Sequence, residues 1–122
     1  MNTKERGDFG ESAVCEWLEK RGVKILCRNY HSKFGEIDII ANDNGCIAFI
    51  EVKSRKNAVY GRASEYVTYS KRKKIILTAR KYLWDRIDAQ IRFDVAEVYY
   101  SDEEDGLKIN EINYIENAFI CE

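Results

Sequence analysis

Asp38, Glu51 and Lys53 are the residues whose types and spacing could do hydrolytic chemistry together. They lie in two short stretches, GEIDII (35–40) and FIEVKSR (49–55). Apolar and polar residues alternate in both, the period of a strand. Between them, Asn44-Gly45 is a strong two-residue hairpin signal, because a type I′ turn needs positive φ at both central positions. A turn centred there sets the register. Ala41 faces Ala48, Ile39 faces Ile50 and Ile37 faces Val52 on one apolar core face. On the other face Ile40 meets Phe49, Asp38 meets Glu51 and Glu36 meets Lys53. Directly opposed Cβ atoms are about 4.5–5.5 Å apart, so two carboxylates there repel. A divalent cation offsets that repulsion, and Mg²⁺ takes one or two carboxylates together with phosphate oxygens. Lys53 shares the face of Glu51, where it could stabilise a phosphoryl transition state or orient a water. The competing reading is structural: a Glu36–Lys53 cross-strand ion pair beside two acids on a solvated face.

The elements that must position these residues follow from periodicity. Residues 3–21 read as a helix, with Ala13, Val14, Trp17 and Leu18 at helical spacing and Gly22 as its stop. Residues 23–30 suit a first strand and 35–54 the hairpin. His31 then falls in a polar connection. A second helix runs from about Ser70 to Arg86, with Ile75, Ile76, Ala79 and Leu83 as its buried stripe and Thr68 or Ser70 as its cap. Residues 91–100, IRFDVAEVYY, are strand-like, and the acidic turn SDEEDG leads to a last alternating stretch. The order of one helix, three strands, one helix and two strands gives an α/β domain, a central mixed sheet flanked by helices. The 122 residues suit one domain, 1–122, with an acidic strand extension from about residue 101.

Composition narrows the classes. With 45% hydrophobic and 34% charged residues the chain is globular rather than disordered. It contains no apolar run of the roughly 18 residues a membrane span needs. The N-terminus lacks the apolar centre of a signal peptide, so a cytoplasmic location is expected. Four cysteines without a Cys-x-x-Cys pair, and a single histidine, argue against zinc. The net charge of −1 conceals an asymmetry. Residues 52–86 hold eleven Lys or Arg against two acids, whereas 94–122 hold nine acids against one lysine. In the basic half Arg55, Lys56, Arg62, Lys71, Lys74 and Lys81 are interleaved with Tyr60, Tyr66 and Tyr69. Cations there would neutralise a phosphate backbone, and tyrosines such as Tyr60 could stack on exposed bases. Lys71, Lys74 and Lys81 share one helical stripe, either a phosphate track or a solvated face. No base-reading element is evident, which suggests structure-selective or weakly selective binding.

Asp38, twelve intervening residues and Glu51-Val52-Lys53 resemble the signature of restriction-endonuclease-like nucleases. The likeness is wider than that signature. Gly7, Gly10-Glu11, Ala13, Gly22, Asn29-Tyr30, GEIDII, FIEVKSR, Tyr60-Gly61, a Lys-rich helix with KYL, and RFDVAEV occur in one order. That order is similar to the YraN-like family of small bacterial proteins, related to the archaeal Holliday junction resolvases. It covers the chain from about Gly7 to Val98. The resemblance implies an αβββαβ core with the site at one edge of the sheet. It implies Mg²⁺ or Mn²⁺ held by Asp38, Glu51 and the carbonyl of Val52, with Lys53 as the catalytic lysine. Glu11 would be the extra acid of the resolvase group, or else a favourable acid near a helix N-terminus with Asp8 as cap. Ile37 stands where the family often has proline. Related resolvases act as dimers, so a homodimer is a further implication.

Two functions follow as expectations. One is a metal-dependent phosphodiesterase acting on DNA, including branched or non-canonical structures. The other is a nucleic-acid-binding module of nuclease fold with weak or no catalysis. Asp94 could support the site from behind, or pair with Arg92 or Lys81. Glu36 is either a structural partner of Lys53 or a group that tunes it.

Overall fold

A computed structural model describes residues 2–56, 67–86 and 88–120. Helix α1 (Thr3–Glu19) starts at a capping box. The Asn2 side chain accepts from the Glu5 N–H at 2.8 Å, and the Glu5 carboxylate accepts from the Asn2 N–H at 3.1 Å. The cap is therefore Asn2 rather than Asp8. The helix stops where Gly22 takes φ +83° and the Val23 N–H returns to the Leu18 carbonyl at 3.1 Å. Strand β1 (Lys24–Ser32) and strand β2 (Gly35–Asp43) flank a two-residue turn, so His31 belongs to a strand and not to a connection. Asn44 and Gly45 have φ of 52° and 94°, the turn the sequence predicts, and lead into strand β3 (Cys46–Lys56). Helix α2 (Tyr69–Leu83) is capped by Thr68, whose hydroxyl accepts from the Lys71 N–H at 3.2 Å. Strand β4 (Ile91–Glu103) is longer than predicted and turns through two residues into strand β5 (Gly106–Phe119). Most of the acidic segment is thus strand, not turn.

The sheet order is β1-β2-β3-β4-β5, antiparallel except where β4 joins β3 in parallel after the α2 crossover. Successive side chains feed two cores. Under α1, Val14 and Leu18 pack with Ile39, Ala41, Ala48 and Ile50. Under α2, Ile75 and Ala79 pack with Ile40, Phe49 and Phe93. The face expected to carry the acids is therefore a second core for most of its length, with Phe49 stacked on Phe93 at 5.6 Å.

The β2–β3 register is the predicted one from Asp43–Cys46 to Ile39–Ile50, where the ladder ends. The next predicted pairs, 38 with 51, 37 with 52 and 36 with 53, do not form in it. From there β2 stays with β1 as far as Gly35, and β3 stays with β4 as far as Lys56. The sheet forks. Ile37 joins the core under α2 although Ile39 lies under α1, so the expected alternation breaks at Asp38. Among the described residues no helix is long and apolar enough to cross a membrane.

Candidate functional site

Asp38 sits at the fork. Its carboxylate accepts from the Val52 N–H at 2.8 Å, a backbone donor that the split ladder leaves without a β2 carbonyl. Asp38 and Glu51 are both buried, 8% and 7% exposed. Glu11 completes the group from α1. A Cβ on Gly10 would meet the Ser54 hydroxyl, so glycine lets this turn of α1 lie close against β3 with the Ser54 side chain in place, beside Glu11. Glu11, Asp38, Glu51 and Ser54 line one cleft of about 340 Å³, with Arg6 and Tyr100 on its other wall.

The acids are poorly compensated. Burial, then the Glu51 carboxylate, raise the Asp38 pKa well above the usual carboxylate range, while the Val52 N–H pulls the other way. Burial, then Asp38, push Glu11 up to about 7, with Arg28 opposing. The Arg28 guanidinium stays 3.7 Å from Glu11 Oε1, beyond hydrogen-bond distance, and that buried oxygen has no hydrogen-bond partner among the described residues. Glu51 is the acid with a close cation. Lys71 Nζ, from α2, is 3.0 Å from Glu51 Oε1. Burial alone would lower the Lys71 pKa; the Glu51 carboxylate outweighs it and the net direction is up.

Other expectations change in place or partner. Lys71 also reaches the acid site, where it pairs with Glu51. Sequence spacing cannot reveal this, because the pairing is made by docking α2 on the sheet. Glu36 pairs across the β1–β2 ladder with His31 at 3.3 Å, not with Lys53. Lys53 is half-buried on β3, two residues on from Glu51. Arg55 is half-buried on the same strand, and Lys56 pairs with Asp102 at 2.9 Å. Lys74 lies over Gly35, and Lys81 is exposed near the end of α2. Tyr60, Arg62 and Tyr66 lie outside the described residues. Asp94 pairs with Arg92. It is fully buried and accepts from Arg92 Nε at 2.8 Å, the Tyr114 hydroxyl and the Asn117 N–H at 3.0 Å. Arg92 also reaches Asp43 at 2.9 Å.

The donors at the fork are hard oxygens, which suit Mg²⁺ or Mn²⁺ and not a soft metal. Two buried, mutually repelling carboxylates and a buried Glu11 oxygen without a hydrogen bond fit such a cation. Among the described residues, however, no three His, Cys, Asp or Glu side chains gather tightly enough to hold an ion unaided.

Residues 10–98 match the family model described as "Uncharacterised protein family UPF0102". A UPF0102 protein of Clostridioides difficile is 47% identical over 121 residues, covering 98% of this chain and all of the relative. One from Clostridium acetobutylicum is 42% identical, covering 95% of this chain and 94% of its own length. One from Persephonella marina is 41% identical over 93% and 92%. Glu11, Asp38 and Glu51, the hairpin and α2 all fall inside the matched segment.

Proposed function

This chain belongs to the uncharacterised protein family UPF0102, related to the restriction-endonuclease-like nucleases, and on that premise we propose that it is a nucleic-acid-binding module of nuclease fold with weak or no catalysis. The observation that carries this reading is α2. Its fifteen residues include Lys71, Arg72, Lys73, Lys74, Arg80 and Lys81 and not one acid. Such a helix is a track for phosphates, independent of base identity. Weak catalysis is supported by the Lys71–Glu51 pair, since a lysine on Glu51 competes with any cation the acids would bind. The test is binding of a fluorescent DNA duplex at low salt with a chelator present. Charge reversal at Lys73 and Lys74 is expected to weaken it about tenfold or more. Binding unchanged by that reversal would remove the reading.

A second reading, metal-dependent phosphodiester cleavage, is favoured by the buried Glu11 oxygen that has no hydrogen bond beside Asp38 and Glu51. Asp38, Glu51 and the Val52 carbonyl would hold Mg²⁺ or Mn²⁺, with Glu11 as the further acid. The ion, when bound, polarises a phosphoryl oxygen and makes water more acidic. The chain would contribute the rest. Lys71 would leave Glu51 and offer its ammonium to a phosphate oxygen. Lys53, two residues on from Glu51 along β3, would add positive charge. Flap, junction and linear DNA incubated with Mn²⁺ test this. Cleavage abolished by Asp38→Ala supports it; cleavage that Asp38→Ala does not alter contradicts it. A homodimer is the arrangement in which two such sites would meet two strands, and sedimentation with and without DNA tests it.

A further inference from the structure

At the opposite end of α2 from Lys71 lies a surface that the acid site does not use. Trp84, the residue that ends the helix, is 82% exposed. Its φ is +41° with ψ −85°, a conformation that costs a bulky side chain free energy. That cost is not offset by burying the indole. Across a cleft of about 650 Å³ stands Phe34, 37% exposed, at the turn between β1 and β2. Tyr30, Lys33, Leu77, Arg80 and Lys81 complete the wall, and among the described residues no acid lines it. Lys33 Nζ stands 5.2 Å from the centre of the Phe34 ring.

The two aromatic edges are held at a fixed separation. The Ser32 hydroxyl is 2.9 Å from the Thr78 hydroxyl, and it accepts from the Phe34 N–H at 3.0 Å. Thr78 is fully buried and donates to the Lys74 carbonyl at 2.8 Å. The β1–β2 turn is therefore bolted to the middle of α2. This end of the molecule presents flat, solvent-facing rings on a rigid base, with cations between them.

We propose that this cleft is a stacking site for unpaired bases, so that the chain takes a single-stranded segment of DNA across Phe34 and Trp84 while Lys33, Arg80 and Lys81 meet its phosphates. The proposal rests on the nucleic-acid reading above and adds the substrate class. The chemistry selects this occupant. Exposed rings with cations between them suit a polyanion that also has π-faces. An acidic peptide would use the cations and leave the rings in water. A duplex would hide its base faces inside the stack.

The two tryptophans make the test direct, because Trp17 is half-buried against Tyr114 and capped by Arg21 on the far side of the sheet. The full chain is titrated with a short oligothymidylate at low salt, with a chelator present, and tryptophan fluorescence is followed. Quenching is expected in the wild-type chain and not in Trp84→Ala, whose affinity falls about tenfold. Trp84→Phe retains most of the affinity, and circular dichroism checks that both variants fold. Wild-type affinity in Trp84→Ala overturns the proposal. So does polyglutamate binding as tightly as oligothymidylate. A blunt duplex that binds where the single strand does not overturns the stacking site and leaves the nucleic-acid reading intact. Failure of both DNAs to bind overturns that reading, and the stacking site with it.

Discussion

Two of the places where the sheet buries acids are treated in opposite ways. At the hairpin end, Asp94 has an arginine, a tyrosine hydroxyl and a backbone N–H, and Arg92 is shared with Asp43 and Glu116. Every lone pair that matters has a donor. At the fork, Asp38 has one backbone N–H and faces another carboxylate, while Glu11 has an oxygen with no hydrogen bond. A buried charge that is fully paired is part of the architecture. A buried charge left short of partners costs stability, and folds tolerate that where the shortage is useful. The contrast sets a structural acid apart from those of the candidate site without reference to sequence motifs.

The comparison breaks most visibly at Asp94. Asp94→Ala takes the buried acceptor from the Tyr114 hydroxyl and the Asn117 N–H and leaves Arg92 with only Asp43 and Glu116, and about 3–5 kcal/mol of stability should be lost. Urea unfolding measures it. A loss below about 1 kcal/mol would show that Asp94 is not the structural member of the contrast.

Asp38→Asn should do the reverse. Without divalent cations at about pH 8, it is expected to stabilise the chain by about 1–2 kcal/mol, because it removes one of two repelling buried charges. The same physics sets a pH dependence. Glu11 rises from 4.5 to about 7 in the fold, and Asp38 is raised too. The folded chain thus keeps protons that the unfolded chain has released. Their contribution to stability is complete below about pH 4.5 and is lost as pH rises through about 7. Thermal unfolding across that range should show the fall in the wild-type chain and a shallower one in Glu11→Gln.

Much of this arrangement is legible in the sequence, and the limits are physical. Asn44-Gly45 predicts its own turn and the register of five residue pairs, because a two-residue hairpin permits one register. Extending it to 38 and 51 overreaches. Where the pairing stops depends on β1 and β4 holding the two strands apart, and no local pattern encodes that. His31 reads as a connection residue because the tight turn at Lys33-Phe34 carries no Asn-Gly signature. Glu51 with Lys71 is out of reach for the same reason as the fork: α2 arrives from a distant part of the chain. Trp84 is invisible as a surface feature, since an exposed tryptophan and a core one look alike in a sequence.

Two smaller effects sharpen the contrast. Lys71→Met removes the cation on Glu51 and should cost about 1 kcal/mol, discounted because the ammonium is half-exposed. It should also tighten Mn²⁺ binding several-fold by calorimetry, since one competing cation is gone. Weaker Mn²⁺ binding would mean that Lys71 supports the cation rather than competing with it. Glu36→Gln should change stability by no more than about 0.5 kcal/mol, because its pairing with His31 is in solvent.

The most direct test is the affinity of Asp38→Asn for a DNA duplex, by fluorescence anisotropy with chelator, as salt is raised. The account places binding on α2 and assigns the fork a separate chemistry. It predicts wild-type affinity at low salt and the same loss of affinity with rising salt. Binding that disappears in Asp38→Asn, or that requires a divalent cation, would contradict it.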